Sequence, residues 1–482
     1  MRRNKHNLSH THLTAFNLGE IIPIACVEVL PGDTFRHATS VLLRMAPMQK
    51  PLMHPVHVQV HHWYVPNRII WSGWEDFITG KVEEATTPLP TVTLSATAGD
   101  NDLTDYLGID PASGTIEVNA LPVYAYNKIY NEFYRDQDLI SEVTLSDNNV
   151  LTAAWEKDYF TTARTELQQG SAVEIPFGST GSADIKYGAN IAGTDREGKW
   201  YVASTTSGGV SEHNYGDAAG QDDGSQGNTT DHNLIADLST ATGVMTIADW
   251  RNAMALQRFA EARARFGERY VDYLRYLGVN PRDGRLDRPE YLGGGRQTVA
   301  FSEVLATSDV DSIHDVGDMY GHGIGALRTR PYRKFFEEHG HVLSLAVVRP
   351  EAIYTEALDR NWLRTQKEDY WQIEQEVLGS QAVTKGEVYS SHGNFTDLFG
   401  YVDRHLEYRM QHNRVSGVFR DSTDYDWHLG RILGTSPTLN QSFIECNPSN
   451  RVFQDTSMPQ VLMQSRHMIA ARRMVAKRAR TN

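Results

Sequence analysis

Residues 53–66, MHPVHVQVHHWYVP, decide the fold. Val56, Val58 and Val60 alternate with His57, Gln59 and His61, and a period of two places each set on its own face of a strand. One face is apolar and the other polar, the pattern of an antiparallel sheet. Upstream, residues 20–30 (EIIPIACVEVL) form a second apolar run, in which Pro23 requires an edge position or a bend. Pro31, Gly32 and Asp33 read as a turn into a third strand over 34–45. Downstream, 341–349 (HVLSLAVVR) is apolar on both phases and predicts a strand buried on both faces, while 297–305 and 382–390 are weaker strands. The regular helices of a doubly wound α/β protein do not alternate with these runs. The sequence therefore predicts a mainly β sandwich or barrel, a jelly roll fitting best because its crossings tolerate long loops.

Composition narrows the class. The chain has 482 residues, 40% hydrophobic and 22% charged, as in a globular protein. No apolar run approaches the roughly 18–20 residues that span a bilayer, so no membrane partner is expected. The basic N-terminus, MRRNKHNLSHTHL, is not followed by the apolar stretch of a secretory signal. Cys26 and Cys446 are too few for a disulfide framework and fit a reducing cytoplasm. Charge is unevenly spread. Residues 1–19 hold Arg2, Arg3 and Lys5, and residues 456–482 hold Arg466, Arg472, Arg473, Lys477, Arg478 and Arg480, with no acid in either segment. These ends contribute +9, leaving −23 on the rest of a chain whose net charge is −14. An acidic body with basic ends suggests that the nine residues contact nucleic acid, 456–482 being read as a basic C-terminal tail. Improved solubility is the plainer alternative.

Three segments stand apart from the strands. Residues 246–277 have helical periodicity and predict one long helix, in which Arg251, Arg258, Arg263, Arg265, Arg269 and Arg275 interleave with Glu261, Glu268 and Asp272. That mixture favours a salt-bridged or subunit-contact helix over a DNA-binding one. Residues 178–233 are rich in Gly, Ser, Thr, Asp and Asn, with a strand-like piece at 199–202, and predict an elaborated surface loop. Residues 121–137, LPVYAYNKIYNEFYRDQ, gather Tyr124, Tyr126, Tyr130, Phe133 and Tyr134 near Tyr106. Aromatics at this density bury against the chain's own core or a neighbouring subunit. With Trp71 and Trp74, these five are the subunit-interface candidates.

Catalytic patterns are absent. His57 and His61 share a strand face near His54 and His62, and a metal-dependent jelly-roll enzyme could use them with a remote partner. Strand-face and interface roles explain these histidines, and the His339/His341 and His10/His12 pairs, more simply. Gly293–Gly295 lacks the Lys-Ser/Thr of a phosphate loop, and 321–325 (GHGIG) lacks a dinucleotide-binding context. Neither a catalytic residue, a metal nor a cofactor is assigned. A carbohydrate- or receptor-binding module using 178–233 is a further alternative.

Several of these stretches resemble segments of the major capsid proteins of the Microviridae, the gokushovirus-like members in particular. They are 45–80 (MAPMQKPLMHPVHVQVHHWYVPNRIIWSGWEDFITG), 126–137 (YNKIYNEFYRDQ), 157–163 (KDYFTTA), 285–295 (RLDRPEYLGGG) and, more loosely, 447–453 (NPSNRVF). The resemblance implies a single capsid domain over 1–482, built as an eight-stranded antiparallel jelly roll, the viral β-barrel, with loop and helical insertions. It implies sixty copies in a T=1 shell with pentamer and threefold contacts, around a single-stranded DNA genome. The partners it implies are other copies, that genome, pilot and DNA-binding proteins of the virion, and a host receptor. The location it implies is the virion, assembled in the bacterial host cytoplasm. Residues 178–233 would correspond to a protrusion at the threefold axes.

Overall fold

The structure is a computed structural model that describes residues 3–81, 88–94, 102–110, 116–171, 173, 184–187, 234–237, 247–267, 269–307, 316–391, 393–433 and 437–478. Two compact units are present, one of residues 1–169 and 261–482 and the other of residues 170–260. Of the 178–233 insertion, only the strand Asp184–Tyr187 is described, paired antiparallel with Leu234–Asp237. The strand-like piece at 199–202 lies outside the described residues.

Two antiparallel sheets form the first unit's centre. The strands are β1 (Asn4–Asn7), β2 (His10–Phe16), β3 (Ile21–Val29), β4 (Thr34–Met45), β5 (Val56–Pro66), β6 (Glu290–Thr298), β7 (Ala300–Leu305), β8 (Met319–Arg328), β9 (Tyr332–Phe335), β10 (Gly340–Pro350) and β11 (Val461–Arg473). One sheet has seven strands, in the order β1-β11-β4-β8-β7, with β2 on β11 and β9 on β4. The other has the order β6-β5-β10-β3. The expected strand over 297–305 is two strands, β6 and β7, which belong to different sheets and meet at buried Val299. Pro23 sits on edge strand β3, where the register shifts, as its missing N–H demands. Residues 382–390 hold the end of a short strand, Ser380–Thr384, followed by the helical turn Lys385–Val388.

Alternation builds the space between the sheets. Val41, Leu43, Met45, Val461 and Met463 of the first sheet meet Ile22, Ile24, Val56, Val58, Val60 and Val348 of the second. The outer face of the second sheet is covered as well, with Trp63, Val65, Leu343, Leu345 and Val347 packing on helix α1 (Leu121–Ile129). β10 is therefore buried on both faces, as its continuous apolar run predicts. The polar phase of β5 does not face water. His61 bonds to the Tyr134 hydroxyl at 2.7 Å, Gln59 donates to Glu156 at 2.9 Å, and His57 lies 2.8 Å from Glu351.

The expected single helix over 246–277 is two, α2 (Ile247–Phe266) and α3 (Tyr270–Tyr276). Gly267 breaks it with a φ of +104°, a conformation that glycine adopts without steric cost. The salt-bridged reading suits its C-terminal part, since Arg265 lies 3.6 Å from Asp403 and Arg275 3.6 Å from Asp272.

Between two apolar zones, the sandwich interior carries a polar seam. His37 (β4), His467 and Ser465 (β11), His62 (β5) and Ser344 (β10) are fully buried. His37 Nε2 lies 3.3 Å from His467 Nδ1, and the Thr39 hydroxyl contacts both at 3.1 and 2.9 Å. His62 bonds to Ser344 at 2.8 Å and Thr329 at 3.2 Å, and its ring lies 4.6 Å from that of His37. Burial, reinforced by neighbouring imidazoles, pushes His37, His62 and His467 down to about 3.

Two predictions follow from this packing. The unfolded histidine pKa is about 6.5, so these residues take up protons on unfolding below that value. Their stability contribution is complete above about pH 6.5 and is lost as pH falls towards 3, by about 2 kcal/mol for one such histidine at pH 5. A urea midpoint unchanged between pH 7.5 and 5 would contradict it. Gly19 has a φ of +89°, and a Cβ there would overlap the Cys446 carbonyl oxygen. Gly19→Ala is expected to cost more than about 3 kcal/mol in denaturant unfolding, well above an ordinary surface substitution.

Candidate nucleic-acid interface and subunit-contact residues

Opposite the core, the seven-stranded sheet shows its other face to solvent. Strands β1, β2, β4, β8, β9 and β11 contain nine Lys and Arg residues and no Asp or Glu. Seven of these cations, Lys5, Arg36, Arg44, Arg328, Arg333, Arg466 and Arg472, are exposed. Register brings them together. Lys5 lies opposite Arg472, Arg466 and Arg328 flank Ser40 from either side, and Arg44 lies between Leu462 and Ile324. Arg36 is directly opposite Arg333, on strands about 4.8 Å apart. Among the described residues, no ion pair reaches any of these seven. Like charges directly opposed in a sheet are destabilising, so the unneutralised Arg36/Arg333 pair marks a place where an anion would be welcome.

An aromatic handle lies at one end of this face. Arg3 donates to the Gly32 carbonyl and the Thr34 hydroxyl, both at 3.0 Å, and its guanidinium stands 5.5 Å from the ring centre of exposed Phe335. Exposed Leu13, Leu42 and Leu462 add apolar surface between the cations. Cations interleaved with apolar and aromatic groups suit a single strand, whose phosphates need charge and whose bases need flat or apolar contacts.

The candidates read from the sequence fall into four groups. Arg3, Lys5, Arg466 and Arg472 belong to this face. Arg473 does not: it pairs at 2.7 Å with Asp33, which is completely buried, and donates to the Glu28 carbonyl. Lys477 and Arg478 are exposed beyond the end of β11. Arg2 and Arg480 lie outside the described residues. The 456–482 segment is also not a free tail throughout, because Val461–Arg473 within it is a central strand paired with β4, β2 and β1. Sequence reading missed Arg36, Arg44, Arg328 and Arg333. The signal was present: the stretches 34–45 and 319–335 are, like the two ends, basic and free of acids.

Burial redraws the list of subunit-contact residues. Tyr126 has no exposed surface; its hydroxyl donates to the Ile21 carbonyl at 2.8 Å and accepts from the Leu151 N–H at 3.1 Å. Tyr130 is only 3% exposed. These two are core residues, out of a neighbour's reach. Tyr124, Phe133, Tyr134, Trp71 and Trp74 are half-buried and pack around the same cluster. Phe133 lies 4.2 Å from Trp63 by ring centres and carries the Arg288 guanidinium over its ring at 4.6 Å.

The enzyme reading loses its residues. His57 is engaged by Glu351 and His61 by Tyr134, and among the described residues no group of three or more His, Cys, Asp or Glu is placed to hold a metal ion. Burial pushes both thiols well above their usual range, which favours the protonated form, although by surface area Cys446 is buried and Cys26 only half-buried.

Comparison with known proteins agrees with a surface built for assembly. Residues 1–480 match the family described as capsid protein (F protein). The chain is 34% identical to the capsid protein VP1 of Bdellovibrio phage phiMH2K, over 92% of this chain and 88% of that protein. It is 30% identical to the capsid protein VP1 of Spiroplasma virus 4, over 92% and 87% of the two chains. With the capsid protein VP1 of Chlamydia phage 1 it shares 29% identity, over 95% and 92%. The match over residues 1–480, together with these relatives, places this chain in the capsid (F protein) family of the Microviridae, as a structural protein of the virion and not an enzyme.

Proposed function

We propose that sixty copies of this chain form a T=1 icosahedral shell in which the exposed face of the seven-stranded sheet is turned inward onto single-stranded DNA. The carrying observation is the acid-free basic face, with Arg36 and Arg333 directly opposed and unneutralised. A chain of net charge −14 that carries an acid-free basic face presents an acidic surface elsewhere, which keeps assembled particles apart in solution. The jelly-roll reading is supported by the two antiparallel sheets, in which β4, β7, β8 and β11 stand in one and β3, β5, β6 and β10 in the other once the flanking strands β1, β2 and β9 are set aside. Strands β1, β2 and β9 are then additions, of which β1 and β9 extend the basic face and β2 adds exposed Leu13 to it. The 178–233 insertion is the candidate for a protrusion at the threefold axes.

The same variant serves two measurements. Arg333→Thr removes a like-charge pair and is expected to stabilise the isolated subunit by ~0.2–1 kcal/mol, read as a higher urea midpoint. Combined with Arg36→Thr, it should reduce the salt dependence of binding to an oligothymidine by about 1.4 in the slope of log K against log salt, about 0.7 for each phosphate released. An unchanged slope in fluorescence anisotropy places the genome contact elsewhere. Deleting 466–482 is not the equivalent test, because it removes more than half of β11 and with it the sheet.

A further inference from the structure

Residues 360–378 form three successive 3-10 turns, Arg360–Leu363, Lys367–Asp369 and Ile373–Leu378, and none of the nineteen residues is buried. Polar contacts nevertheless hold the segment in one shape. The Asp369 carboxylate accepts from the Thr365 and Gln366 N–H groups at 2.9 Å each, and Trp371 Nε1 donates to Glu376 at 3.0 Å. The Trp371 N–H donates to the Tyr408 hydroxyl at 3.2 Å, and the Arg364 guanidinium stacks on Tyr408 at 4.5 Å. What this arm displays is apolar: Trp362 is 73% exposed, Val377 72% and Ile373 64%, with Tyr370, Trp371 and Leu378 also exposed. A stretch tied down by polar contacts and by Arg364 packed on Tyr408, with its large apolar side chains left exposed, is a preorganised contact surface, and Trp and Tyr are the residue types that dominate binding at such surfaces.

Its charge selects the kind of partner. Arg360 is paired with Glu387 at 3.4 Å, Arg364 with Glu407 at 3.3 Å and Lys367 with Glu368 at 3.4 Å. Among the described residues, no ion pair reaches Glu374 or Glu376. The unpaired charge is thus negative, which repels a polyphosphate and separates this arm from the basic sheet face. A capsid subunit is surrounded by copies of itself, and an acidic, aromatic, preshaped arm fits a protein neighbour. We infer that the 360–378 arm is an inter-subunit contact that seats on a second copy of this chain, an inference that rests on the capsid reading.

The test uses the full chain. Val377→Asp places a charge at an exposed position, so its urea midpoint is expected to match the wild type while the yield of sedimenting particles falls at least tenfold. A photo-crosslinking phenylalanine derivative at position 362 should give a covalent dimer whose crosslinked peptides come from two copies. Wild-type particle yield from the Val377→Asp chain overturns the inference, as do crosslinks confined to one chain, to DNA or to a different protein. If the unaltered chain forms no particles under any condition, the capsid reading fails separately. The arm is then judged on the crosslinked dimer at high protein concentration alone, and its absence ends the inference too.

Discussion

Twelve consecutive residue pairs join β4 to β11, from Met45 with Val461 to Thr34 with Arg472, and the rest of the molecule depends on that register. Its inward phase supplies Phe35, His37, Val41, Leu43, Val461, Met463, His467 and Ile469 to the sandwich interior. Its outward phase supplies Arg36, Arg44, Arg466 and Arg472 to the surface. A slip of one residue would exchange the two sets, placing arginines in the core and the core in water. Fold and basic surface are therefore two sides of one constraint. The polar seam strengthens it, because the imidazoles and hydroxyls of His37, Thr39, Ser465 and His467 satisfy one another only in this alignment.

The sheets were legible in the sequence wherever burial followed period two. β4, β5 and β10 announce themselves, and Pro23 marks an edge. Coverage by distant parts of the chain was not legible: the polar side of β5 reads as solvent-facing, yet residues 134, 156 and 351 arrive to bond it. β11 was misread for a related reason. Its buried phase includes Ser465 and His467, and its exposed phase is basic, so composition suggested a tail where pairing makes a strand. The helix break was carried by one residue, Gly267, whose effect is a backbone angle and leaves no mark on apolar periodicity.

The candidate site was half legible for a similar reason. Net charge at the two ends identified Arg3, Lys5, Arg466 and Arg472, because local composition is enough to see them. Arg36, Arg44, Arg328 and Arg333 join the same face only through strand pairing, which composition does not encode. The aromatic segment shows the converse limit. Its density correctly signals burial, but whether Tyr126 meets its own core or a neighbour is settled by the carbonyl of Ile21 and the N–H of Leu151, far away in sequence.

The β4–β11 pairing also has a consequence for how the chain reaches its native state. The paired residues lie between 416 and 438 positions apart, so during synthesis β4 exists long before β11 does. A hydrophobic strand waiting for its partner is an exposed edge, and such edges recruit other chains into aggregates. Arg36 and Arg44 stand along this strand at the phase that later faces outward, breaking its apolar run with charge, as gatekeeper residues do. Before the sheet is complete, the same arginines set charge against the sticking of unfinished subunits to each other.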